Sequence, residues 1–206
     1  PTTAVRNGDG PRDGEALRNC DALRARCTNR HLHVGAGLDA ADRRALAEAA
    51  ATAGVTLALL EDPSAQAAVG RVAGRADRLR FLHGPWRREL AAELRWTAAD
   101  AAATADGLEL DSLELNAAGR AGLPLMLHEA TMAALSETHL REAEPGVDPL
   151  GSAFIRPAEE AFVASAALAA LVVPPDLVDP LFVGGQALQR VWLAATVRVL
   201  GVHPWG

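Results

Sequence analysis

The sequence has no lysine and no tyrosine, so all 20 basic residues are arginine. Such a uniform choice reads as a coding bias and carries little functional weight. It does remove one motif class: VGGQAL, at 183–188, has no Walker lysine and is not a P-loop. Only 2 cysteines are present. They cannot make a disulfide framework, so a reducing, cytoplasmic compartment is expected. No apolar run is long enough to span a bilayer, and no signal peptide is visible. The run from Ala161 to Val173 is too short for a span and reads as a core strand led by a phenylalanine. Basic residues are outnumbered by 26 acidic ones, giving a net charge of −6. That balance argues against non-specific nucleic-acid binding, which needs a basic surface. There is no G-x-S-x-G, and LGSAF at 150–154 is not a nucleophile elbow. His83, His128 and His139 stand apart from one another and read as structural.

What is present is half apolar and rich in alanine, which suits a globular domain of 206 residues with room for a core. RNGDGPRDGE, at 6–15, is glycine-rich and charged and reads as a loop or linker, making residues 1–15 an arm ahead of a domain over 16–206. Leu17, Cys20 and Leu23 recur at helical spacing, predicting a helix to about Arg26 with Cys20 on its core side. Asp39 is placed to N-cap a second helix ending near Gly54, and VTLALL at 55–60 reads as a strand. Asp62 and Pro63 then open a helix to about Leu82. GPW at 84–86 restarts a helix expected to include Trp96. Residues 106–115 read as a strand or extended loop, and a helix is expected after Pro124. Near the end, Leu181, Gly185, Leu188, Trp192, Ala195 and Val199 recur at three- and four-residue steps. They predict one long amphipathic helix with small residues on its packing face, stopped at Gly201, and VHPW would begin a strand. Helices and strands interleave, so the fold class is α+β.

The densest chemistry lies in RARCTNRHLH, at 24–33. Arg26 and Arg30 are four apart and share a face on one helical turn. In an extended segment Arg26, Thr28 and Arg30 share a face instead. Either geometry converges planar guanidinium forks, which match a phosphate, while Thr28 and Asn29 add short donors. The plain alternative is a helix C-terminus whose arginines offset the dipole. A metal reading draws on Cys20, Cys27, His31 and His33, but their C-x6-C-x3-H-x-H spacing is not a zinc knuckle. Trp86 and Trp96 read as core, or as aromatic cover over a flat ligand.

Taken in order, RCTNRHLH, VTLALL, RRELAAELRW, DGLEL and VGGQALQRVWLAATVRVLGVHPWG resemble the Acg-like branch of the nitroreductase superfamily over most of residues 24–206. The T-N-R stretch and the A-L-Q-R-V-W-L helix are the most specific parts. The resemblance implies a nitroreductase-like sandwich around a mainly antiparallel sheet flanked by helices, with a long central helix near the C-terminus. It implies FMN, held where two nitroreductase units meet, with Arg26, Thr28, Asn29 and Arg30 as the contacts to its phosphate and ribityl chain. It further implies an FMN-dependent oxidoreductase, with NAD(P)H as a possible electron donor and a small molecule or peptide as the other redox partner. No side chain is needed as a nucleophile, because the flavin carries the redox work. Proteins of this branch usually join two such halves, and the first half carries an A-P-S-x-x-N-x-Q-P-W-like stretch not found here. The sequence thus looks like the second half, expected to form a homo- or heterodimer with another such unit. The chain starts at Pro1 without a methionine and stops at HPWG, so it is expected to be a piece of something longer. A flavin-sequestering protein, or a non-catalytic partner subunit completing a shared flavin site, is the alternative.

Overall fold

A capping box begins the best-defined part of the chain. Asp39 accepts from the backbone N–H of Asp42, and the Asp42 carboxylate accepts from that of Asp39. Two of the N–H groups that a helix start leaves unpaired are satisfied in this exchange. The structure, a computed structural model, describes residues 20–29, 37–104, 106–113, 115, 117–139 and 158–205. The expected arm over 1–15 lies outside the described residues. The described elements are α1 (20–25), α2 (Ala40–Ala51), β1 (Thr56–Leu60), α3 (Pro63–Leu82), α4 (Gly84–Glu93), β2 (Leu94–Arg95), α5 (Ala98–Thr104), β3 (Leu108–Glu109), a 3-10 turn (Leu110–Leu113), α6 (Ala117–Leu127), α7 (Glu129–His139), α8 (158–164), β4 (Leu168–Val172) and α9 (Pro180–Val197). The mixture is α+β, with helix dominant.

The chain forms two compact units. The first comprises the described residues 20–29, 37–60 and 167–205. Here β1 and β4 pair antiparallel from Thr56↔Val172 to Leu60↔Leu168. Helices α2 and α9 pack together, and Leu46, Ala50, Val191 and Ala195 form the core between them. Leu57, Leu171, Leu200 and Val202 close around that core. Arg198, at the end of α9, reaches the Asp42 carboxylate at 2.5 Å and fastens the two helices at one end.

The second unit comprises the described residues 61–104, 106–113, 115, 117–139 and 158–166. Helix α3 is opened by Asp62, which accepts from Ala65 N–H, with Pro63 at the first helical position. Its inner face carries Gln66, Gly70, Ala73 and Gly74, all buried. Gly70 lies against α8 so closely that a Cβ there would sit 2.7 Å from Glu159 Cα. The fully buried Gln66 donates to the Ser165 carbonyl at 3.2 Å. Strands β2 and β3 pair in parallel, connected through α5 and a turn at Gly107, whose φ of +79° suits a residue without Cβ. The Arg95 guanidinium locks this turn by bonding Asp106 and Thr104. Leu94, Leu110 and Leu123 form the core of this unit.

Several expectations are corrected. The 161–173 run is not one strand: α8 continues to residue 164 and β4 starts only at Leu168. Alanine serves a helix as readily as an apolar run serves a strand, so the run gave no break point. Nor is β4 fully buried, for Ala169, Ala170 and Val172 are exposed. Trp96 lies beyond α4, after β2. Pro124 sits inside α6 rather than at its start. The face of α9 is rotated from the expected one: Ala187, Val191, Trp192 and Ala195 are buried, while Leu181, Gly185 and Leu188 are exposed. Helix α9 ends before Gly201. Val199 adopts φ 60°, and Leu200 N–H bonds the Ala195 carbonyl across it. This is the six-to-one closure that a left-handed residue after a helix makes. On α1 the buried residue is Ala22, and Cys20 and Leu23 are exposed.

Candidate functional site

The segment from Arg26 to Asn29 leaves α1 and runs beside the chain after α9, within the first unit. Arg26 N–H still bonds the Ala22 carbonyl, so its backbone finishes the helix. Thr28 then forms an isolated parallel bridge with Val202, and Asn29 N–H donates to the Val202 carbonyl at 2.9 Å. VHPW therefore contributes one bridge residue at Val202 rather than a strand. Gly201 is glycine for a packing reason, because a Cβ there would collide with Asn29 Nδ2 and crowd Asn29 Cγ at 3.2 Å.

The Arg26 side chain turns onto α9. Its guanidinium carbon stands 4.1 Å from the centroid of the Trp192 ring. Such stacking holds the cation by the ring quadrupole and leaves the planar edge of the fork for hydrogen bonding. Arg26 Nε is shut off from solvent and has no hydrogen-bond partner among the described residues. Arg87 Nε, in the second unit, is in the same state, so a buried Nε does not by itself mark a ligand site. Arg198, on the same unit as Arg26, differs: its charge is already answered by Asp42 and, at 3.8 Å, by Asp39. The Arg198 hydrogen bond holds the Asp42 carboxyl below its ordinary pKa, helped by the Asp39 N–H.

Of the four residues chosen from sequence, three fall in one short stretch. Arg26, Thr28 and Asn29 are half-buried. Arg30 lies outside the described residues, as do His31 and His33. Cys20 and Cys27 are free and exposed, and no cluster of three or more metal-ligating side chains occurs among the described residues. Trp192 and Gly201 were not chosen. Both lie more than 160 positions from the T-N-R stretch, and no local spacing connects them. Trp86 is half exposed and its ring tilts against His83 at 4.4 Å, in the second unit. Among the described residues, no helix is long and apolar enough to cross a membrane.

Comparisons with known proteins place few bounds on this site. No family model matches the chain, and no solved structure matches it. Over 182 residues the chain is 30% identical to the uncharacterized protein MT1398 of Mycobacterium tuberculosis. That alignment covers 87% of this chain but 23% of the relative, so the chain spans under a quarter of the protein it resembles.

Proposed function

We propose that the chain is a nitroreductase-like, FMN-binding unit of an oxidoreductase, in which Arg26 grips the flavin phosphate. One observation supports this reading: two segments that carry the resemblance, RCTNRHLH and VGGQALQRVWLAATVRVLGVHPWG, meet where the Arg26 guanidinium stacks on the Trp192 ring. The residues present fit a phosphate monoester. A guanidinium fork answers its charge and its oxygens together. Thr28 and Asn29, pinned beside Val202, are near enough in the chain to bond the same group or the ribityl chain. Arg30, two positions beyond Thr28, is assigned to the same grip.

When bound, FMN supplies hydride and electron transfer. Everything else is binding. Trp192 orients Arg26, the closing of Gly201 on Asn29 orients the donors, and the surrounding core keeps both segments in place. The proposed electron donor is NAD(P)H. The flavin site is completed by another nitroreductase-like unit, either a second copy or another part of a longer protein. On the N-terminal half of α9, Leu181 at 88% exposure and the exposed Phe182 offer apolar surface for such a unit.

The test is calorimetric titration of the full chain with FMN and with riboflavin. FMN is expected to bind at least tenfold more tightly, because only FMN carries the phosphate. Arg26→Ala is expected to erase that preference while leaving the riboflavin affinity near its original value. Equal affinity for both flavins in the unaltered chain, or an undiminished preference in Arg26→Ala, overturns the phosphate assignment. NAD(P)H oxidation by the flavin-loaded chain then separates an oxidoreductase from a sequestering protein.

A further inference from the structure

The turn that follows α9 is held in an unfavourable shape. Val199 has φ 60°, in the left-handed region that a β-branched side chain rarely adopts. Such a conformation persists where the residues around it over-determine the backbone. After the turn, Leu200 and Val202 pack on the core between α2 and α9. Before it stands Arg198, whose backbone N–H still bonds carbonyls in the last turn of α9. The turn therefore sets where residues 200–202 run, and these residues meet the candidate site. Val202 bridges Thr28 and accepts from Asn29 N–H, and Gly201 lies against the Asn29 side chain.

The Arg198 side chain leaves α9 and ends on α2. Its Nε donates to Asp42 at 2.5 Å, and Asp39 stands 3.8 Å from its guanidinium. The pair is sheltered, with side-chain exposures of 30% for Arg198 and 15% for Asp42. A charge-assisted hydrogen bond partly withdrawn from water holds better than a surface ion pair. Asp42 is also aimed beforehand, because its other carboxylate oxygen accepts from Asp39 N–H in the capping box. Arg198 is thus fixed at its tip by α2 and at its backbone by α9, one position before Val199.

We infer that Arg198 is a positioning residue for the grip formed by Arg26, Thr28 and Asn29: held by Asp42, it fixes the start of the turn that carries Gly201 and Val202 to Thr28 and Asn29. The inference rests on the flavin reading above. Arg198 itself does not touch the ligand, since its charge is spent on Asp42 and Asp39. It acts through the backbone. When the turn shifts, Val202 moves, and the donors of Thr28 and Asn29 leave the group that Arg26 holds. Leu200 and Val202 still keep the segment near the core, so loss of the ion pair costs position rather than the fold.

The test compares Arg198→Met, which keeps an apolar stem without the charge, with Arg198→Lys, which keeps the charge. In calorimetric titration of the full chain, Arg198→Met is expected to cut the preference for FMN over riboflavin at least fivefold. Its riboflavin affinity should stay within twofold of the unaltered chain, and Arg198→Lys should restore most of the preference. Hydrogen exchange gives a second readout that needs no ligand. The Asn29 amide should exchange at least tenfold faster in Arg198→Met, while the Gln66 amide of α3, in the second unit, is unchanged. Should Arg198→Met alter the circular-dichroism spectrum, Asp42→Asn takes its place, because asparagine can keep the capping bond. An undiminished FMN preference or an unchanged Asn29 exchange rate overturns the proposal. So does a loss that Arg198→Lys does not reduce, which would assign the effect to packing. Equal affinity of the unaltered chain for both flavins overturns the flavin reading instead, and the Asn29 exchange rate then still decides whether Arg198 holds the turn.

Discussion

Arg26 and Arg198 show that residue type alone does not fix what an arginine meets in the fold. Both are arginines near a helix end of the first unit, yet one is paired with carboxylates and the other has a donor without an acceptor. The stretch holding Arg26, Thr28 and Asn29 was legible because four polar, donor-rich residues crowd into five positions. The partner of Arg26 was not, since Trp192 is brought to it only by the docking of α9. Val199 makes the complementary point. It has φ 60°, a region where a β-branched side chain is strained, and it is 93% exposed, so it contributes little burial in return. Val199→Gly is therefore expected to stabilise the chain by about 1 kcal/mol, read from urea denaturation. An unchanged or lower midpoint would mean that Val199 makes contacts its exposure does not reveal. The glycine chosen from sequence as the stop, Gly201, serves the approach of Asn29 instead. A sequence reports that a glycine is near a helix end, and only the fold reports what touches it.

Among the elements, those opened by strong caps were legible. Asp39 begins α2 and Asp62 with Pro63 begins α3, because their side chains satisfy N–H groups that any helix start leaves open. Alanine-rich stretches were not, and α8 and β4 divide a run that read as one strand. The α3–α8 contact supplies a direct test of element packing. Gly70→Ala places a methyl 2.7 Å from Glu159 Cα, a backbone atom that cannot swing aside. The two helices must separate, and a loss of about 1–3 kcal/mol is expected from chemical denaturation. Helix propensity would pull the other way, since alanine is favoured over glycine inside a helix by about 1 kcal/mol. A net gain in stability would show that the contact is looser than its geometry. The face of α9 was misread by a fraction of a turn because its sequence is apolar nearly all round. Periodicity then identifies a helix without telling which side the core takes.

At the scale of the molecule, composition leads to a response to acid. Asp42 serves the capping box of α2 and the Arg198 pair at once, and its pKa is lowered first by Arg198 and next by the Asp39 N–H. A carboxylate with a depressed pKa stabilises the fold above its unfolded value of about 3.9, and that contribution is lost as the pH falls through the folded value. Asp42→Asn should melt lower than the unaltered chain at pH 7, and the gap should close as the pH drops below about 4. A gap that persists at low pH would assign the effect to packing rather than to charge. What the sequence determined by itself were the properties that act locally or in sum: helix starts, the β1 strand, the α+β class, the excess of acid, and the polar cluster at 26–30. What the tertiary structure decided was which distant segments meet. It set Arg26 on Trp192, Thr28 against Val202 and Gly70 against Glu159. Caps and turns form over three or four residues and leave a local pattern, whereas contacts across a hundred positions depend on how whole helix faces pack.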